Sequence, residues 1–290
     1  MAAQPTDNSR AVQETQTPPL HNPRPDTVLA SIPGTGTTTS EYDSHLTLPR
    51  SNPDIKVKVD WKAVGKLDGH TGRSVQTVAF SPDGRLLASG GGGTDSAVRL
   101  WDVRTQKAVA RLVGHTGRAV YAVAFSPDGR LLASGAGGGD GDSTVRLWDV
   151  GAQEAIAGLV GHTGRAVYAT AFSPDGRLLA SGAGAGDGDS TARLWDVQAQ
   201  KAVAGLAGHT GSCVWAVAFS PDGRLLATGS GGNRTVRLSD VRARKAVTEL
   251  VGHTGPVYAV AFSPDGRLLA SGGATDSAVR LWDALSLPDE

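Results

Sequence analysis

Residues 114–150 read GHTGRAVYAVAFSPDGRLLASGAGGGDGDSTVRLWDV, and residues 161–197 repeat them with only Val123/Thr170, Gly138/Ala185 and Val145/Ala192 exchanged. Three further copies flank this pair. Each opens with Gly-His, at His70, His115, His162, His209 and His253, with steps of 45, 47, 47 and 44 residues between them. Four close on Trp-Asp, at Trp101, Trp148, Trp195 and Trp282, and the fourth copy carries Ser239-Asp240 instead. A period in the forties means that each copy is one small unit that buries its apolar face only by stacking on its neighbours.

Within a unit, the strands follow from composition. Val120 to Phe125 is β-branched and aromatic, and Ser126-Pro-Asp-Gly129 is a tight turn. Leu131 to Ser134 and Thr144 to Trp148 give two more strands, separated by a Gly/Asp loop. A fourth strand precedes each Gly-His, at 62–67, 107–112, 154–159, 201–206 and 245–250. The strands are labelled a, b, c and d, in the sequence order d-a-b-c.

With Gly-His at one end and Trp-Asp at the other, the chain resembles the WD-repeat (β-transducin-type) β-propeller family over about residues 62–284. Its near-identical copies are similar to those of bacterial members. The resemblance implies an all-β propeller of five four-stranded blades. The first d strand, 62–67, has no preceding a, and too few residues follow Asp283 for another d. Strand 62–67 is therefore expected to complete the last blade and join the ends. The repeats span about 62–102, 107–149, 154–196, 201–240 and 245–283, within a propeller domain of 55–290. Residues 1–54, rich in Pro, Thr, Ser and Asn, are expected to be a disordered extension.

Composition removes several function classes. Twenty-eight basic and 28 acidic residues balance, which favours neither nucleic acid nor an anionic membrane as partner. No apolar run reaches membrane-spanning length, and the N-terminus lacks a signal-peptide pattern. Cys213 stands alone, which leaves no disulfide framework and no multi-cysteine metal site. A cytoplasmic monomer is expected.

Each unit carries a hydroxyl, a His, a carboxylate or amide, and an aromatic ring. The sets are His70/Ser89/Asp95/Trp101, His115/Ser134/Asp142/Trp148, His162/Ser181/Asp189/Trp195, His209/Thr228/Asn233/Ser239 and His253/Ser271/Asp276/Trp282. A Ser-His-Asp set suggests a hydrolase, but neither a strained nucleophile turn nor an oxyanion hole accompanies any copy. The resemblance implies a structural hydrogen-bond network, so no catalytic residue is expected. The Gly/Asp loops hold Asp140, Asp142, Asp187 and Asp189, whose spacing fits no Ca²⁺ motif, and no P-loop occurs. No metal or cofactor is expected.

The informative variation lies at the start of strand a, where equivalent positions hold Gln76, Tyr121, Tyr168, Trp215 and Tyr258, preceded by Arg73, Arg118 and Arg165. By the resemblance, this end of strand a borders the top of a central channel where peptides and protein loops dock. These side chains either form a binding ring for a protein or peptide or pack between blades. The competing function is a small-molecule or glycan binder, or a hydrolase, at the channel mouth. The arginines of strand c, Arg99, Arg146, Arg193, Arg237 and Arg280, read as ordinary surface or blade-edge charges.

Overall fold

A computed structural model describes residues 62–138, 143–164, 166–184, 191–206, 209 and 213–284; the extension of residues 1–54 lies outside them. The described residues hold 19 strands and no helix. Blade 1 comprises β1 (Ser74–Phe80), β2 (Leu86–Gly92), β3 (Val98–Asp102) and β4 (Lys107–Leu112). Blade 2 comprises β5 (Ala119–Phe125), β6 (Leu131–Gly137), β7 (Val145–Asp149) and β8 (Glu154–Leu159). Blade 3 follows with β9 (Ala166–Phe172), β10 (Leu178–Gly184), β11 (Ala192–Asp196) and β12 (Lys201–Leu206). Blade 4 has β13 (Val214–Phe219), β14 (Leu225–Ser230), β15 (Val236–Asp240) and β16 (Lys245–Leu250). Blade 5 has β17 (Val257–Phe262), β18 (Leu268–Gly273) and β19 (Val279–Asp283). Each blade is an antiparallel meander, and one bridge, Gly137 to Ala166, links blades 2 and 3.

The Ser-Pro-Asp-Gly turns are closed by their own side chains. Ser126 Oγ donates to Asp128 Oδ1 at 2.6 Å and accepts from the Leu131 N–H at 2.9 Å. Gly129 adopts φ 71°, the left-handed conformation that glycine tolerates without strain. The Asp of Trp-Asp closes the next turn. Asp149 Oδ1 accepts from the Ala152 N–H at 2.7 Å, and Asp196 Oδ1 accepts from the Ala199 N–H at 2.7 Å.

The apolar core lies between blades. One cluster joins Val98 and Leu100 of blade 1 to Val120, Leu132 and Trp148 of blade 2, and three more clusters bridge blades 2–3, 3–4 and 4–5. Each fully buried Val or Leu contributes roughly 1.5–3 kcal/mol. The seam has a repeated detail. A β-carbon built on Gly90, Gly135, Gly182 or Gly229 would lie 2.8, 2.6, 2.7 or 2.9 Å from Cγ1 of Val120, Val167, Val214 or Val257 in the next blade. A valine knob thus fills a glycine socket at all four seams.

The joined ends expected from the sequence are not found. Among the described residues, 62–67 form no strand, blade 5 shows three strands, and no strand pairing joins blades 5 and 1. Val64 is 88 % exposed, and its carbonyl accepts a 2.9 Å hydrogen bond from Gln106 Nε2, beside blade 1. On β19, Val279 and Leu281 are 74 % and 67 % exposed, whereas Val98 and Leu100 of blade 1 are fully covered. The physical reason is that the seams between blades 1 to 5 are filled, and 62–67 is held instead beside blade 1 by the Gln106–Val64 hydrogen bond.

Candidate functional site

The hydroxyl–imidazole–carboxylate sets assemble on the loop between strands d and a. In blade 1, His70 Nδ1 donates to Asp95 Oδ2 at 2.7 Å, and the Thr71 N–H donates to the same oxygen at 3.0 Å. That fixes the tautomer, so Nε2 accepts from Ser89 Oγ at 2.7 Å, and Ser89 in turn accepts from Trp101 Nε1 at 2.7 Å. Blade 5 repeats the set, with His253 to Asp276 at 2.7 Å, Ser271 to His253 at 2.7 Å and Trp282 to Ser271 at 2.8 Å. In blades 2 and 3 the His115–Ser134, Trp148–Ser134, His162–Ser181 and Trp195–Ser181 pairs all lie at 2.7 Å. Asp142 and Asp189, like Asp140 and Asp187 of the Gly/Asp loops, lie outside the described residues.

These distances would suit nucleophile activation, but the surroundings do not. Ser89, Ser134, Ser181 and Ser271 are at most 3 % exposed, and each hydroxyl is engaged both as donor and as acceptor. A substrate carbonyl has no approach to them. Burial acts most strongly on Asp95 and pushes its carboxyl up. Hydrogen bonds from His70 and from the Thr71 and Ala97 N–H groups outweigh that and hold it below its ordinary value. Asp276 is lowered against the same opposing burial, by His253.

Blade 4 departs from this pattern. His209 Nδ1 stands 3.2 Å from Asn233 Oδ1, and Thr228 Oγ1 lies 2.7 Å from His209 Nε2. The carboxylate arrives from a residue the sequence did not single out. Glu249 on β16 accepts from Asn233 Nδ2 at 2.8 Å, Thr235 Oγ1 at 2.6 Å and Arg237 Nη2 at 2.9 Å. Ser239 is 5 % exposed in the place of the missing Trp. Burial, reinforced by the Arg237 charge, holds the His209 imidazole below its ordinary pKa, against weaker upward pulls from Asn233 and Glu249.

The strand-c arginines are not surface charges throughout. The Arg99 side chain is only 11 % exposed, with Nε 3.9 Å from Asp95 Oδ2, and Arg280 Nε lies 3.9 Å from Asp276 Oδ2. Their constant offset, four residues after the network Asp or Asn in every copy, was the available signal.

The second constellation is the start of strand a. The inner strands β1, β5, β9, β13 and β17 are successive neighbours around the arc. Each breaks register with its b strand at one residue, and those residues are Gln76, Tyr121, Tyr168, Trp215 and Tyr258. A bulge turns a side chain off the regular pleat. Here four half-buried rings meet in one row: Tyr121–Tyr168 at 5.2 Å, Tyr168–Trp215 at 4.3 Å and Trp215–Tyr258 at 5.3 Å between centroids. Gln76 at the blade 1 end donates to Ser74 Oγ at 2.7 Å. Arg73 and Arg118 are exposed, and the Arg118 N–H donates to the Gly137 and Gly138 carbonyls, which places it at the margin of the Gly/Asp loop. Arg165 lies outside the described residues.

Among the described residues no helix is long and apolar enough to cross a membrane. The family model described as WD domain, G-beta repeat matches residues 61–102, 106–149, 153–196, 200–240 and 244–283. Protein Mut11 of Chlamydomonas reinhardtii is 40 % identical over 77 residues, which is 27 % of this chain and 19 % of that protein's length. The five repeat matches cover well over half of the sequence, and the chain belongs to the WD40-repeat family, whose repeats form β-propellers and generally mediate protein–protein scaffolding.

Proposed function

We propose that this chain is a non-catalytic interaction module that docks a peptide or protein loop on the face carrying Gln76, Tyr121, Tyr168, Trp215 and Tyr258, with Arg73, Arg118 and Arg165 at its margin. The observation that carries it is the continuous row of four rings, each set at a bulge of an inner strand. Rigid aromatics lose little rotamer entropy when covered, and arginines at the margin select carboxylates. The ligand chemistry is therefore an acidic segment containing an aromatic residue. The His, Ser/Thr, Asp/Asn and Trp sets are structural, because their hydroxyls are buried and saturated with partners. The single, buried Cys213 suits a cytoplasmic setting, and the near-identity of the repeats supports the bacterial likeness.

A library of acidic, aromatic-containing peptides, read by fluorescence anisotropy, tests the proposal. Tyr168→Ala and Trp215→Ala are each expected to cost about 2 kcal/mol of binding if they act as hot spots. Arg118→Glu slows association and changes its salt dependence. Arg130→Glu, beyond the turn at the opposite end of β5, leaves binding unchanged. Loss of binding in Arg130→Glu with both aromatic variants unaffected would place the docking face elsewhere.

A further inference from the structure

The four seams between blades use one set of complementary parts, and the open arc leaves one copy of each part unused. Val120, Val167, Val214 and Val257 are fully buried knobs, whereas the equivalent Val75 of blade 1 is 47 % exposed. The sockets Gly90, Gly135, Gly182 and Gly229 are filled, whereas a β-carbon on Gly272 of blade 5 would meet only Ala259 Cβ, at 3.7 Å. A second pair behaves alike. The turn glycines Gly129, Gly176, Gly223 and Gly266 each face, at 3.5 or 3.6 Å, a proline of the preceding blade: Pro82, Pro127, Pro174 or Pro221. Gly84 of blade 1 faces nothing within 4 Å, and Pro264 of blade 5 is the proline left over.

The third unused part is a strand. Arg244 Nη1, on the c–d turn of blade 4, reaches the carbonyl of Val203 on β12, the outer strand of blade 3, at 3.4 Å. Gln106 occupies the corresponding turn position of blade 1 and bonds the carbonyl of Val64 at 2.9 Å. Residues 62–67 therefore already lie where the outer strand of a preceding blade would lie, with the matching sequence Lys-Ala-Val and no sheet to join. The open edge of β19 is the sheet that lacks such a strand. An unpaired edge of this kind is a template for strand addition.

We propose that a second copy of this chain docks head to tail on blade 5, seating its Val75 at Gly272 and its Gly84 at Pro264, and adding its residues 62–67 to β19 as the fourth strand. The partner is identified by continuity with the interface present four times within each chain. Among the described residues the exposed Val75 and the unfilled Gly272 of one copy do not meet, and a second copy offers the complement of each. In the register of the other blades, Lys62 meets Asp283, as Lys107 meets Asp102 within blade 1. The contact is heterologous, so the number of copies depends on whether the rotation closes into a ring or continues as an open run. The proposal is independent of the docking face above.

Sedimentation velocity of the full chain across a concentration series, with light scattering for mass, tests it. Val75→Arg and Leu281→Arg change exposed positions at opposite ends of the arc, so neither removes core, and far-UV circular dichroism checks the fold of each. The unsubstituted protein is expected to assemble beyond the 29.7 kDa monomer as concentration rises, while each variant alone stays monomeric. Mixing the two variants is the decisive arm. Each retains the surface the other has lost, so the mixture gives a capped one-to-one dimer and nothing larger. A monomeric unsubstituted protein at every concentration, as closure within one chain would give, overturns the proposal. So does assembly by either variant alone, or a mixture without dimer.

Discussion

Asn233 Nδ2 donates to Glu249 Oε1 at 2.8 Å, so in blade 4 the carboxylate that serves the His network has moved from the b–c loop to the outer strand. The equivalents of Glu249 in blades 1 to 3 are Arg111, Gly158 and Gly205, none of them acidic. Restoring the consensus Asp at 233 would therefore place two carboxylates in contact. Asn233→Asp alone is expected to destabilise by about 1 kcal/mol, the scale of like charges brought into contact on neighbouring segments of a sheet. The double change Asn233→Asp with Glu249→Gly recovers most of that loss. A double-mutant cycle in urea checks the coupling, and strict additivity would contradict it.

Ser239 adds a second cost in the same blade. The position that holds a nearly buried Trp in blades 1 to 3 lacks both the indole volume and its N–H. Amide exchange in residues 214–250 is expected to be faster than in the equivalent segments of blades 2 and 3. Uniform protection across those blades would show that Glu249 and local repacking compensate fully.

The strands were legible because each of the five copies offers the same turn chemistry, and Ser-Pro-Asp-Gly fixes where strand a ends and strand b begins. Repeat equivalence also put Tyr121, Tyr168, Trp215 and Tyr258 on one side. Their position at bulges was hidden, since a register break depends on which b-strand residue pairs and leaves no residue type as its mark. Residues 62–67 show the same limit from the other direction. Their composition suits a strand, but a strand also needs a paired edge, and the Gln106 contact that holds Val64 beside blade 1 has no mark in the composition of 62–67. Glu249 was invisible because it occurs in one copy only. Arg99 was legible in principle from its fixed offset, but an arginine on a strand reads as exposed until its neighbours are known.

The glycine sockets give a sharp contrast between closed and open seams. Gly182→Ala would force a β-carbon to within 2.7 Å of Val214 Cγ1 and 2.9 Å of its carbonyl oxygen. Overpacking of that kind costs about 1–3 kcal/mol. Gly272→Ala has only Ala259 Cβ at 3.7 Å, so it should leave the monomer's urea midpoint nearly unchanged while weakening self-association. Equal destabilisation of the isolated chain by both would mean that blade 5 has a closed seam in solution.

Acid should weaken the protein in two stages. The imidazole of His209 has a folded pKa below its unfolded value of about 6.5, so its contribution is complete above that pH. It is lost as pH falls from there through the depressed folded value. The carboxyls of Asp95 and Asp276 in the networks, and of Asp83, Asp128, Asp175 and Asp265 in the turns, are also lowered. Their contribution is complete above the unfolded value of about 3.9 and is lost as pH drops further through their folded values. Urea midpoints measured against pH should show both declines. His209→Gln should flatten the upper one; an unchanged slope there would remove His209 as its source.

The aromatic row can be tested without any ligand. Tyr168 has a ring on each side, Tyr121 at 5.2 Å and Trp215 at 4.3 Å, whereas Tyr121 and Tyr258 each have one neighbour in the row. Stacked aromatic pairs contribute about 0.5–1.5 kcal/mol beyond their area burial. Tyr168→Ala is therefore expected to destabilise more than Tyr121→Ala or Tyr258→Ala. The Tyr168/Trp215 cycle should show a coupling within that range, and the more distant Tyr121/Tyr258 cycle should show none. If the rings merely fill seams independently, Tyr168 and Trp215 will also be additive, and the row will have no collective rigidity to offer a ligand. If they couple, the same stiffness that stabilises the arc is what keeps the face organised before anything binds, which lowers the entropy cost of docking.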